Sequence, residues 1–126
     1  KTNIDSGTFK ALQYAGVEAF TNPAMTTHQK NMCAMYQERR DVVVRALQAM
    51  GFVIDAPKAT FYIWVPVPAG FENSTDFVSY ILEETGVVLT PGRGFGEYGE
   101  GYFRIALTNN CARLQEAMDR IKQALK

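Results

Sequence analysis

Arg104 is the residue whose type and setting most invite chemistry. It stands in Tyr102-Phe103-Arg104-Ile105-Ala106-Leu107-Thr108, a run that alternates in character. In a strand, residues two apart share a face. Phe103, Ile105 and Leu107 are therefore expected to point into a core, with Tyr102, Arg104, Ala106 and Thr108 pointing the other way. An arginine in mid-strand is either solvated or placed to meet an anion. Its planar fork suits two-point recognition of a carboxylate. The residues alone leave both readings open. Just upstream, Pro91 to Gly101 holds five of the ten glycines, and residues 94–99 match GxGxxG. A dinucleotide fingerprint needs that motif between a strand and a helix, so that pyrophosphate meets the helix N-terminus. Here a strand follows, which argues against that use. The glycines read instead as turn residues able to take positive φ, in a flexible loop that could border a site.

The remaining candidates are weaker. His28 is the only histidine and has no ligand or nucleophile partner near it, so it reads as a surface helix residue. Glu83-Glu84 and the Glu97/Glu100 pair read as solvated carboxylates. Cys33 and Cys111 lie far apart without a CxxC and read as reduced, buried thiols. Met25, Met32, Met35 and Met50 read as helix packing. Trp64 and its aromatic neighbours read as core or an interface. No metal site is expected.

These residues need elements to position them. Ser6 is expected to cap a helix with Phe9, Leu12, Gly16 and Phe20 on one face. Asn22-Pro23 ends it and starts another, since proline suits the first helical position. Thr26-x-x-Gln29 offers a second start. The second helix should run to about Met50, with Met32, Tyr36, Val43, Leu47 and Met50 on one face, interrupted by Arg39 and Arg40. Its length suggests a strut joining two bodies. Phe52-Val53-Ile54, Thr60 to Val65, Val87-Val88-Leu89 and Tyr102 to Thr108 read as strands. Ser74 or Thr75 should cap a helix with Phe77, Ile81, Leu82 and Thr85 inward, closed by Gly86. Asn109-Asn110 should cap a last helix with Leu114, Met118, Ile121 and Leu125 inward. The expected fold is α+β, a small, largely antiparallel sheet with helices packed on one face.

Composition narrows the function classes. The chain has 126 residues, 47% of them hydrophobic and 21% charged. That composition excludes a disordered chain. Thirteen basic residues balance thirteen acidic ones, so no broad nucleic-acid or anionic-membrane surface is expected. Zero net charge also makes self-association plausible. No apolar run approaches the ~20 residues of a membrane span. The first residue is Lys1 and no signal-peptide pattern is visible. The chain is therefore expected to be cytoplasmic and a processed or excised piece of something longer.

Five motifs in order bring a family into view: Asn3-Ile4-Asp5-Ser6-Gly7 with Gln13; Tyr36-x-x-Arg39-Arg40-Asp41; Pro57-x-Ala59-Thr60-Phe61-Tyr62; Pro91-Gly92-x-x-Phe95-Gly96; and Gly101-Tyr102-Phe103-Arg104-Ile105-Ala106-Leu107. The chain resembles the C-terminal third of the class I/II aminotransferases, which depend on pyridoxal 5′-phosphate (PLP). Tyr62-Ile63-Trp64-Val65 and Pro91 to Gly96 look most like the branch holding the bacterial LL-diaminopimelate and the aspartate/alanine enzymes. The resemblance implies transfer of an amino group between an amino acid and a 2-oxo acid by a homodimer. It implies that Arg104 binds the substrate carboxylate, that Asn3 approaches the neighbouring subunit's active site, and that the loop from Gly92 to Gly96 lies near the cofactor cleft. It implies that residues 1–23 belong with the large cofactor domain or a subunit interface, and 24–126 with the small domain. The family's PLP lysine lies upstream of Lys1, and none of the six lysines stands in a matching context. The chain alone is thus expected neither to hold PLP nor to catalyse transamination. The rival reading is a stand-alone α+β module that binds a ligand or partner.

Overall fold

The computed structural model describes residues 7–126. Ser6 and Asn3 lie outside that range. Helix α1 spans Lys10–Thr21 and follows Phe9 without a side-chain cap. Asn22 ends α1 through its backbone N–H, which donates to Glu18 O, and its Oδ1 then accepts from Ala24 N at 2.9 Å. Helix α2 begins at Pro23, as expected, and runs unbroken to Ala49, 27 residues in all. At 1.5 Å per residue that is about 40 Å. Thr26 starts no separate helix, because the ladder from Pro23 is continuous through it.

The chain forms two compact units, one ending at Met35 and the other running from Tyr36 to Lys126. In the first, α1 buries no residue. Phe9, Leu12, Val17 and Phe20 are exposed, as are Met32 and Met35. Cys33 is exposed as well and Cys111 only half-buried, so neither is the buried thiol expected; both are free. Helical spacing places these side chains on faces, but nothing within their own unit encloses them.

The second unit carries the core. Strands β1 (Tyr62–Pro66), β2 (Thr90–Pro91) and β3 (Tyr102–Ala106) make an antiparallel sheet in the order β1-β3-β2. Ile63 pairs with Ile105 and Val65 with Phe103. Leu107 N donates to Phe61 O, and Val67 N to Gly101 O, each at 2.8 Å, carrying the ladder one step past both ends. The core face of the sheet, Ile63, Val65, Phe103, Ile105 and Leu107, packs with Val43, Val44 and Leu47 of α2. Phe77 and Ile81 of α3 (Ser74–Thr85) and Leu114, Met118 and Ile121 of α4 (Cys111–Ala124) complete it. This is the expected α+β arrangement with helices on one face.

Several local expectations need correction. Phe52–Ile54 and Val87–Leu89 are not strands. Val53 and Val88 are exposed, while Phe52, Ile54, Val87 and Leu89 turn toward the core. The alternation in these segments reflects burial without a ladder partner. Thr60 does not belong to β1: its φ of +70° is a left-handed turn. The cap of α3 is Asn73, whose side chain accepts from Thr75 N and Asp76 N. Ser74 is instead the first helical residue and wholly buried. Leu82 is exposed on α3, leaving Phe77 and Ile81 to face the core. Gly86 does close that helix, at φ +67°, and Asn110 does cap α4 by accepting from Arg113 N.

Candidate functional site

β3 is the central strand, so Arg104 has neighbours on both sides. It stands opposite Trp64 of β1 and Thr90 of β2, and directly opposed residues of an antiparallel pair share a face. That face is the one turned away from the core. Arg104 is half-buried there, and its Nε is buried with no hydrogen-bond partner among the described residues. The guanidinium carbon lies 4.0 Å from the centre of the Tyr62 ring and 4.4 Å from that of Phe95. Phe95 in turn meets Trp64 edge-on, with ring centres 5.2 Å apart. Trp64, Phe95, Tyr98, Gly99 and Tyr102 line a shallow apolar recess beside the arginine.

Arg39 and Arg40 of α2 show what a satisfied arginine looks like. Arg39 donates to Leu107 O and Thr108 O at 3.1 and 3.2 Å and stacks on Tyr36. Arg40 donates to Pro57 O and pairs with Asp41 at 2.7 Å. Both interrupt the apolar stripe because they fasten α2 to the loops around it. Arg104 has no such acceptor among the described residues. A buried donor left unmade costs about 1–3 kcal/mol, a cost that an acceptor from outside the described residues would relieve.

The glycine-rich segment delivers Phe95. It folds as two 3-10 turns, Gly92–Phe95 and Glu97–Gly99, hinged at Gly96 with φ +111°. Gly92 and Gly99 meet backbone to backbone, and a Cβ on either would overlap the carbonyl oxygen of the other. These glycines therefore permit close approach as well as turning, and no helix follows them to make a dinucleotide site. Glu100 then ties the segment to α3. Its carboxylate accepts from Ser74 N at 2.7 Å and Gly101 N at 2.8 Å, with the Ser74 hydroxyl at 3.3 Å. The Ser74 hydroxyl oxygen accepts from Arg93 N at 3.4 Å. The Gly101 and Ser74 backbone donors, in that order, hold the Glu100 carboxyl below its usual range against a partial desolvation, helped by the Ser74 hydroxyl and Arg93. The expectation of a solvated Glu100 thus fails, because three donors converge on it. Glu83, Glu84, Glu97 and His28 are exposed as expected.

The sequence reading singled out Arg104 but left Tyr62 and Phe95 out of its site. Tyr62 shares a face with Trp64 by period-two spacing. The signal was present, yet only the register of β1 on β3 brings that face to Arg104. Asn3, the other expected binding residue, lies outside the described residues. Among those residues no cluster of His, Cys, Asp and Glu could hold a metal ion, and no helix is long and apolar enough to cross a membrane.

The family model for aminotransferase class I and II matches residues 5–121. The LL-diaminopimelate aminotransferase of Moorella thermoacetica is 50% identical over 125 residues, 99% of this chain and 31% of that protein. That of Halothermothrix orenii is 50% identical over 124 residues, again 31% of its length. The aromatic aminotransferase of Pyrococcus horikoshii superposes with a TM-score of 0.83 at 34% identity, over 90% of this chain and 30% of that one. The chain therefore spans about a third of the length of its relatives. A family match over nearly the whole chain, joined to the expected small antiparallel sheet, settles its membership: the chain belongs to the class I and II aminotransferases.

Proposed function

We propose that the longer protein to which this chain corresponds transfers an amino group between an amino acid and a 2-oxo acid, with LL-diaminopimelate as the amino-acid substrate. The observation that carries the reading is Arg104, half-buried, with its Nε unpartnered among the described residues and its guanidinium against two aromatic rings. Amino acids and 2-oxo acids share a carboxylate, and a desolvated arginine fork binds it by charge-assisted hydrogen bonds. Arg104 fixes the substrate by the one group that does not react.

PLP serves the parent as the electron sink for this chemistry. The five described lysines, Lys10, Lys30, Lys58, Lys122 and Lys126, are all exposed, and none lines the recess beside Arg104. The amine that engages the cofactor comes from upstream, and this chain contributes substrate binding. In this reading residues 1–23 belong with the cofactor domain or a subunit interface, and 24–126 form the small domain. Asn3 reaches toward the neighbouring subunit's site in a cytoplasmic homodimer that serves lysine biosynthesis. The identities to LL-diaminopimelate aminotransferases support the substrate, and no observation favours a stand-alone binding module.

The test is turnover by the full-length, PLP-loaded protein with LL-diaminopimelate, aspartate and alanine in turn, each with a 2-oxo acid acceptor. The expected result is transamination with kcat/KM highest for LL-diaminopimelate. A preference for another donor would overturn the substrate assignment. Absence of turnover with every donor would overturn the activity.

A further inference from the structure

Arg104 meets its ligand from a setting that other residues hold in place. Its side chain makes no hydrogen bond or ion pair to any described residue that would fix its orientation. What stands against it is aromatic: the Tyr62 ring at 4.0 Å and the Phe95 ring at 4.4 Å from the guanidinium carbon. A guanidinium over a ring face is attracted by the ring quadrupole, and more strongly where water is excluded. Such contacts engage the π-face of the cation and leave its N–H edge free for in-plane bonds to a carboxylate. A protein acceptor would also orient the arginine, but it would compete with the substrate for the same donors. Aromatic rings orient it without competing.

The two rings come from separate places. Tyr62 is fixed by the β1–β3 ladder, where it pairs with Ala106. Phe95 is carried on the loop closed by Gly92, Gly99 and Glu100, and is braced edge-on by Trp64. It remains 52% exposed, so its ring does little for the core. A large aromatic held half in solvent by two glycine contacts and a buried serine–glutamate tie is placed for something other than packing.

We propose that Tyr62 and Phe95 are positioning residues that hold the Arg104 fork in the orientation a substrate carboxylate meets. They act through Arg104 and not by touching the reacting atoms. The inference rests on the carboxylate reading of Arg104 and deepens it. Pre-orienting a long side chain removes an entropic cost that each binding event would otherwise carry. Losing a ring should therefore raise KM for the amino acid and the 2-oxo acid alike, with little change in kcat.

The test uses the full-length, PLP-loaded enzyme with Phe95→Leu, Phe95→Tyr, Tyr62→Leu and Tyr62→Phe, each also combined with Arg104→Ala. The expected result is a rise in KM of roughly 5- to 20-fold in each leucine variant, a range consistent with one to two cation–π contacts. Kcat should stay within about threefold. Phe95→Tyr and Tyr62→Phe keep the ring and should restore near-parental KM, which a requirement for the Tyr62 hydroxyl would not allow. In the Arg104→Ala background the leucine substitutions should cost nothing further, because the ring then has no fork to hold. Leucine variants with parental KM, or with an undiminished loss in the absence of Arg104, would overturn the positioning role while leaving the carboxylate reading intact. Parental kinetics in Arg104→Ala itself would bring down that reading instead. If a Tyr62→Leu protein fails to fold, the Phe95 pair decides the question alone, since that ring is half in solvent.

Discussion

Thr60 shows the residue scale at its simplest. It takes φ +70°, a conformation that costs an L-residue roughly 1–2 kcal/mol and is unusual for a β-branched one. It is exposed, so no packing contact offsets that cost. Thr60→Asn should raise stability by about 1 kcal/mol, read from the denaturant midpoint; an unchanged or lowered midpoint would show that the turn needs threonine. Glu100 is the counterpart, a side chain whose setting favours its charge. Its carboxyl is held below the usual range by donors from Gly101 and Ser74, so folding prefers the ionised form. Its contribution is present above the ordinary glutamate range and is lost as pH falls through the lowered folded value. Glu100→Gln should lower stability at neutral pH and flatten the acid limb of the stability curve. A variant whose acid limb matches the parent's would contradict this. Gly92→Ala drives a Cβ into the Gly99 and Tyr102 carbonyl oxygens. Overpacking of that kind costs about 1–3 kcal/mol, and thermal denaturation of the variant should show it.

At the scale of elements, what was legible in the sequence followed from local chemistry. Pro23 at the start of α2, Gly86 after α3, Asn110 before α4, and the Phe103-Ile105-Leu107 face of β3 all express rules within a few residues. The misplaced elements needed information from far along the chain. Phe52–Ile54 and Val87–Leu89 alternate as strands do, but pairing depends on whether a partner strand remains free. β2 is only Thr90–Pro91, where proline offers no N–H to continue the ladder. The cap of α3 passed to Asn73 because Ser74 is drawn into the tie with Glu100, 26 residues away. The site divides along the same line. Arg104 could be singled out by its place in an alternating strand, and the role proposed for it rests on the motif order. Tyr62 and Phe95 become its neighbours only through strand register and the folded glycine loop. Asn73 offers a direct check on the element reading. Asn73→Ala removes the acceptor for Thr75 N and Asp76 N and should cost about 1 kcal/mol. Asn73→Ser should recover most of it, and equal stability of Asn73→Ala and the parent would show that Ser74 or Thr75 can cap after all.

At the scale of the whole molecule, the chain covers 31% of the length of its Moorella thermoacetica relative, and none of its described lysines lines the recess beside Arg104. The isolated chain, mixed with PLP, should neither retain the cofactor stoichiometrically after gel filtration nor turn over any amino donor. Stoichiometric retention with activity would show that it works unaided. The central claim is that this chain supplies the carboxylate anchor of an aminotransferase. It is tested most directly by kcat/KM of Arg104→Ala in the intact, PLP-loaded enzyme, measured separately for the amino acid and for the 2-oxo acid. Removing one partner of a desolvated charge pair costs on the order of 2–5 kcal/mol, about 30-fold to several thousand-fold in rate. Both constants should fall together by such a factor, because both substrates carry the same carboxylate, with PLP still bound and the fold intact. Near-parental kcat/KM for either substrate, or an unfolded small domain in place of a kinetic loss, would contradict it.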